Sequence, residues 1–372
     1  MDFIDLKRQY RAYQSEIDAA MAAVLAHGQF IMGPEVAELE RRLATFVGIE
    51  HAIGVASGTD ALSIVLMALG IGAGDEVITV PYTFIATAEA PAHLGARPVF
   101  VDIEPRTYCM DPAKLEAAIT PKTRAIVPVS LYGQMPDLEA IEAIASRHGI
   151  VVIEDAAQSF GATRRGVRSC GVTRVSCTSF FPAKPFGCYG DGGAIFTSDA
   201  AIAAAARSIR VHGSTQRHHH PRLGLTSRLD TIQAAALLAK LPHFESEVAA
   251  RARLGGRYDA LLAGACRTPA IAQGNSHVYA QYAVLTPERD RVAAEMQAAG
   301  VPTAIHYPVC LHQQPALAHL GYRTGDFPVA EAVARDVLCL PMHPFLTDVE
   351  QDRIVAALRA AARAPAATAH VA

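Results

Sequence analysis

The sequence predicts an α/β fold: a mostly parallel central sheet covered by helices, followed by a smaller C-terminal α+β domain. Three observations predict it. Seven short apolar runs recur between Ala52 and Thr197, several of them ending in glycine, proline or an acid. Segments with helical spacing separate the earlier runs, and near-continuous apolar strands alternating with helices are the pattern of parallel strands buried on both faces. At 372 residues the chain also exceeds the size at which one hydrophobic core usually stops growing, so two domains are expected.

In chain order, the predicted strands are residues 52–55, 76–80, 98–102, 124–129, 150–154, 175–180 and 194–197. Helical spacing marks residues 60–69 between the first two. Beyond Asp199 the pattern changes to alanine-rich helical stretches at 200–211 and 229–241, then a strand at 278–285 and helices at 290–299, 329–337 and 349–362. The change places a boundary near Glu245, dividing a large domain, residues 1–244, from a small one, residues 245–372. The tail from Ala364, alanine-rich with Pro365, is expected to fray.

Composition removes several function classes. Hydrophobic residues make up 51% and charged residues 19%, which argues against disorder. A net charge of -3 leaves no broad electrostatic footprint for nucleic acid or an anionic membrane. Asp2, Asp5, Lys7 and Arg8 precede any apolar run, unlike a signal peptide or anchor, and no span is apolar enough to cross a bilayer. The 7 cysteines are scattered without a C-x-x-C pair, which predicts reduced thiols in a cytoplasmic protein and no zinc site.

No dinucleotide or P-loop glycine pattern follows a strand, so the chemistry is sought in other residues just after the apolar runs, where open α/β sheets collect ligands. Ser57-Gly58-Thr59-Asp60 opens a helix after one run, where small residues let backbone N–H groups approach a phosphate; an ordinary N-cap is the alternative. In Glu154-Asp155-Ala156-Ala157-Gln158 a carboxylate ends one of the most apolar strands, so Asp155 needs a cation or several donors, or else caps the next loop. Lys184 lies among Phe180, Phe181, Pro182, Pro185 and Phe186; desolvation there lowers a lysine pKa toward the neutral amine that attacks carbonyls. His218-His219-His220 is read as a mobile loop rather than a metal site, because consecutive histidines cannot easily face one ion.

In this order, Ser-Gly-Thr-Asp-Ala-Leu at 57–62, Glu-Asp-Ala-Ala-Gln at 154–158, Ser-Phe-Phe-Pro-Ala-Lys at 179–184 and Gly-Asp-Gly-Gly-Ala at 190–194 resemble the DegT/DnrJ-type nucleotide-sugar aminotransferases, which are fold type I enzymes dependent on pyridoxal 5'-phosphate (PLP). The resemblance runs from Phe3-Ile4-Asp5-Leu6 and Gly33-Pro34-Glu35-Val36 to His306-Tyr307-Pro308 and Leu340-Pro341-Met342-His343-Pro344. It implies that Lys184 is the Schiff-base lysine and that Asp155 pairs with the pyridinium nitrogen. Gln158 would bond the phenolic oxygen and Phe84 stack on the ring, with Gly58, Thr59, Asp60 and Ser179 at the phosphate. Thr226 stands where the family has an asparagine that reaches the neighbouring subunit's phosphate, and Cys310 where it tends to have proline.

The resemblance further implies L-glutamate as donor, 2-oxoglutarate as its product, and a homodimer with active sites shared between subunits. Within the family the whole chain is most similar to enzymes that aminate C3 of UDP-2-acetamido-2-deoxy-3-oxo-glucuronate for bacterial surface polysaccharide. His306 and Tyr307 are the implied substrate contacts, with Arg228 for the sugar carboxylate unless it merely pairs with Asp230 or a helix end. Another nucleotide-linked keto sugar is the alternative substrate, and a non-catalytic PLP-binding regulator the alternative of a different class.

Overall fold

The computed structural model describes residues 1–363; the tail from Ala364, expected to fray, lies outside the described residues. Three helices that the sequence reading does not anticipate come first: α1 (Leu6–Ala12), α2 (Gln14–His27) and α3 (Pro34–Val47). Asp5 starts α1 by accepting from the Arg8 N–H at 2.8 Å, Gly28 ends α2 at a φ of 71°, and Pro34 opens α3.

The sheet region follows as β1 (His51–Val55), α4 (Gly58–Ala68), β2 (Glu76–Thr79), α5 (Ala86–His93), β3 (Arg97–Phe100), α6 (Pro112–Leu115), β4 (Thr123–Ile126), α7 (Leu138–Arg147), β5 (Val151–Asp155), the hairpin β6 (Thr163–Arg164) and β7 (Val167–Arg168), β8 (Val175–Ser179) and β9 (Gly193–Thr197). Seven strands form one sheet in the order β1-β9-β8-β5-β4-β2-β3. Only β9 runs against the others, pairing antiparallel with both β1 and β8. The predicted mostly parallel sheet is therefore present, with all seven predicted strands in it.

Strand periodicity divides the core. Ile195 of β9 packs with Ile53, Val77 and Ile153 beneath Leu62 and Val65 of α4 and Ile202 and Ala206 of α8 (Ala200–Ile209). Its neighbours Ala194 and Phe196 point to the opposite face, against Leu39 and Leu43 of α3 and Phe160. Burial of both faces explains why the strands read as continuous apolar runs.

The rest of the chain comprises α9 (Thr231–Leu262), β10 (Tyr282–Leu285), α10 (Arg289–Ala298), α11 (Pro328–Asp336), β11 (Val337–Leu340) and α12 (Asp348–Arg363). β10 and β11 pair antiparallel and share an apolar cluster with Val292, Met296, Ile354 and Leu358. Helix α9 is longer than predicted: Pro242 does not stop it at Leu241, because proline removes one hydrogen bond while apolar packing holds both sides of the helix. The boundary near Glu245 falls inside α9, whose Leu237 and Phe244 join the sheet core and whose Leu254, Tyr258 and Leu262 join the small cluster. The division at 244/245 is accordingly a proposal, with α9 common to both parts. The strand predicted at 278–285 begins only at Tyr282, since Tyr279 adopts a positive φ of 46° that interrupts extended backbone.

Candidate active site

Strands β1, β2, β5 and β8 run in one direction, so their carboxyl ends meet at one edge of the sheet. The residues that follow them line a cavity of about 680 Å³. At the end of β1, Ser57 caps α4 by accepting from the Asp60 N–H at 3.0 Å. Gly58 and Thr59, the first two residues of α4, line the cavity, and N–H groups at these positions have no partner within a helix. A Cβ on Gly58 would lie 2.8 Å from that of Ser179 at the end of β8, and one on Gly193 would lie 2.5 Å from the Ser57 carbonyl carbon. Glycine at both positions lets the α4 N-terminus sit directly against β8 and β9, forming an anion seat with Ser179.

Asp155 ends β5 with its carboxylate in the cavity wall. Its Oδ2 accepts from Thr87 Oγ1 at 2.7 Å and its Oδ1 from the Ala157 N–H at 3.2 Å. Burial raises its pKa, while Thr87, the Ala157 N–H and the Lys184 charge oppose the rise. Lys184 lines the same cavity, and burial lowers its pKa against the pull of Asp155. Its amine makes no hydrogen bond or ion pair among the described residues, which leaves a partly desolvated nitrogen available for chemistry.

Gln158 is buried, accepting from the Tyr132 N–H at 2.8 Å and donating to the Tyr307 hydroxyl at 3.2 Å. Phe84, 52% exposed, presents its ring to the cavity 6.2 Å from that of Tyr307. His306 lines the same wall; burial first, and then the Lys184 charge, lowers its pKa. Phe3 and Ile4, in the N-terminal arm ahead of α1, also border the cavity.

The structure thus brings together Gly58, Thr59, Phe84, Asp155, Gln158, Ser179, Lys184, His306 and Tyr307. Three expected residues lie elsewhere. Asp60 is absent from the lining, and a carboxylate aimed at a phosphate would repel it. Thr226 is exposed and hydrogen-bonds His212 Nε2 at 2.8 Å. Arg228, half-buried outside this chain's cavity, has no hydrogen bond or ion pair among the described residues, so the alternative pairing with Asp230 is not formed. Cys310 also stands outside the cavity, buried beside Leu311, and its φ of -67° is one that proline would take.

The lining includes residues that sequence reasoning assigned no role: Thr83, Thr87, Asp191 and Gln281. Thr83 and Thr87 could have been found, since they follow the end of β2 as Ser57 follows β1. Gln281 carries no such signal. Among the described residues, no group of three or more His, Cys, Asp or Glu side chains could hold a metal ion. His219 and His220 instead bond Thr215 Oγ1 and the His212 carbonyl.

An anion seat at a helix N-terminus, a buried carboxylate, a free desolvated lysine and an exposed aromatic ring in one cavity fit pyridoxal phosphate, and together define the class of PLP-dependent aminotransferases. Comparison with known proteins agrees. The chain matches the DegT/DnrJ/EryC1/StrS aminotransferase family over residues 11–359, and it belongs to that family. It is 56% identical over 359 residues to the UDP-2-acetamido-2-deoxy-3-oxo-D-glucuronate aminotransferase of Pseudomonas aeruginosa, covering 96% of this chain and 99% of that one. A solved DegT DnrJ EryC1 StrS aminotransferase from Brucella abortus superposes with a TM-score of 0.95 at 44% identity, covering 98% of this chain and all of the other. NtdA from Bacillus subtilis, solved with the cofactor PMP bound, superposes with a TM-score of 0.91 at 32% identity, covering 98% of this chain and 85% of the other. The fold is that of the fold type I enzymes, and pyridoxal phosphate is the cofactor.

Proposed function

We propose that the protein transfers the amino group of L-glutamate to C3 of UDP-2-acetamido-2-deoxy-3-oxo-glucuronate, in the cytoplasm, for bacterial surface polysaccharide, as a homodimer with shared active sites. The observation that carries the substrate is the 56% identity across nearly the whole chain to an enzyme named for that sugar. Arg228 supports it: an arginine without a partner among the described residues suits a substrate that brings a carboxylate, and its position outside this chain's cavity suits service to a neighbour's site.

In this reading the N–H groups of Gly58 and Thr59 and the Ser179 hydroxyl hold the cofactor phosphate, with Thr226 contributing from the partner subunit. Asp155 would pair with the ring nitrogen, Phe84 would stack on the ring, and the Gln158 amide would donate to the phenolic oxygen. When bound, pyridoxal phosphate supplies an electron sink for the pair left behind when the donor loses its α-proton. Lys184, its amine held below the ordinary lysine pKa by burial, takes that proton from the glutamate α-carbon and later delivers one to C3 of the sugar. His306 and Tyr307 border the space left for the sugar.

The test is amino transfer from glutamate to the 3-oxo uronate with identification of the sugar product, run beside a panel of UDP- and dTDP-linked keto sugars. Amination at another ring position, or preference for a neutral hexose, would overturn the assignment of the substrate.

A further inference from the structure

Asp155 is held by one side-chain donor that the proposed function leaves without a role. Thr87, in the first turn of α5, is 1% exposed and lies 2.7 Å from Asp155 Oδ2 through its Oγ1. A carboxylate can only accept, so the Thr87 hydroxyl donates to it. The contact of 3.4 Å between Thr83 Oγ1 and Thr87 Oγ1 then runs with Thr83 as donor. A directional chain therefore leads from Thr83 through Thr87 to one oxygen of Asp155.

Glu154, the preceding residue, shows how a buried carboxylate is satisfied when it serves only the fold. It accepts from Ser130 Oγ at 2.7 Å, Ser169 Oγ at 2.8 Å and the Cys170 N–H at 2.9 Å, all away from the cavity lining. Among the described residues Asp155 has two donors, one to each oxygen, and the Ala157 N–H is the longer contact. The single hydroxyl of Thr87 is thus its principal fixed partner.

We propose that Thr87 is a positioning residue for Asp155: its hydroxyl sets the orientation of the carboxylate and favours the anion, so that the ring nitrogen it faces stays protonated. The inference rests on the reading that Asp155 faces that nitrogen. Titratable groups surround Asp155 on several elements: Lys184 after β8, Cys177 on β8, Cys170 in the preceding loop, Tyr307 across the cavity, and Glu154 on its own strand. Of these, Lys184 alone contributes a positive charge, and Lys184 is engaged in the reaction. A neutral donor that stays in place is therefore what can hold Asp155 ionised throughout the cycle.

The experiment measures pyridoxal phosphate binding to the apoprotein as a function of pH, with melting temperature and steady-state kinetics on the same preparations. Thr87→Val, and Thr87→Ala in case valine packs poorly, should move the acid limb of cofactor affinity upward by about one pH unit, the loss expected for a hydrogen bond to a charged group. The same variants should lower kcat roughly tenfold with the KM for glutamate little changed. Thr87→Ser should restore both. A wild-type acid limb in valine and alanine variants that bind cofactor, with or without a lower melting temperature, would overturn the proposal, as would a serine variant displaced as far as valine. Asp155→Asn separates the two levels. If that variant keeps wild-type turnover and acid limb, the reading of Asp155 fails and this inference fails with it. If it is impaired while Thr87→Val is not, only the role of Thr87 is lost.

Discussion

Gly58 and Ser179 pack so closely that a Cβ on Gly58 would lie 2.8 Å from the Ser179 Cβ and 3.3 Å from its Cα. The obstruction is strand backbone as well as side chain, so it cannot rotate away. Gly58→Ala must push the start of α4 off the end of β8, at a stability cost on the order of 1–3 kcal/mol. Because the same N-terminus forms the anion seat, pyridoxal phosphate affinity should fall as well. Denaturant unfolding and equilibrium dialysis measure the two effects; unchanged affinity would remove the α4 N-terminus as the phosphate seat.

Lys184→Ala should abolish turnover while leaving the fold intact, because the Lys184 amine makes no hydrogen bond or ion pair among the described residues. Melting temperature without cofactor should change little. Borohydride treatment with cofactor should fix label to the wild type and none to the variant. Covalent labelling of the variant would assign the attachment to another lysine.

Much of this site was legible in the sequence because one rule covers it: parallel strands point their carboxyl ends the same way. Asp155, Lys184 and Gly58 follow apolar runs and Ser179 lies at the end of one, so their convergence needed only the strands to be parallel. What could not be read depends on contacts between distant segments. The pairing of Thr87 with Asp155 joins α5 to β5, and the entry of Phe3 into the cavity wall requires the arm to fold back. Helices α1 and α2 lie outside the strand pattern, and the hydrophobic spacing of α2 is weak. Asp60 stands outside the lining with its N–H bonded to Ser57, because a helix N-terminus offers backbone N–H groups to a phosphate and not the side chain of every residue in its first turn.

Stability should fall as pH drops from neutrality, partly through His277. This imidazole is buried, accepts from the Tyr279 N–H at its Nδ1 over 2.9 Å, and has its pKa pushed down to about 3 by desolvation. The unfolded chain binds its proton below the ordinary histidine value of 6.5 and the folded chain does not, so the unfolded state gains as pH falls. Between that value and about pH 5 the loss from this residue is about 2 kcal/mol. His343, lowered to about 4 chiefly by burial, acts in the same direction. Unfolding midpoints measured across this range should flatten in His277→Asn by about 1.4 kcal/mol per pH unit; an unchanged slope would show that His277 is protonated in the fold.

The protein should be a homodimer in solution. Phe30, Ile31 and Met32 form an exposed apolar run, and Ile31 bridges to Asp230, two residues from Arg228. Such a run beside a segment assigned to the neighbour's site suits a buried subunit contact. Sedimentation of the wild type should give a dimer, and Ile31→Asp should weaken dimerisation and turnover together. An active monomer at assay concentration would contradict the shared-site reading.

Arg228 decides between the uronate and a neutral hexose. A bidentate arginine contact to a carboxylate is worth on the order of 1.5–3 kcal/mol, or roughly tenfold to a hundredfold in binding. Arg228→Lys keeps the charge and loses the fork, and since Arg228 has no partner within the described residues the change should leave folding untouched. Glutamate brings carboxylates to the same site, so the two half-reactions must be followed separately in single turnovers. If Arg228 reads the sugar acid, amination of the 3-oxo uronate slows while an uncharged counterpart changes little. If only the glutamate half-reaction slows, Arg228 serves the donor and another group reads the sugar. If neither changes, Arg228 recognises no substrate carboxylate, and the uronate assignment then stands on sequence identity alone.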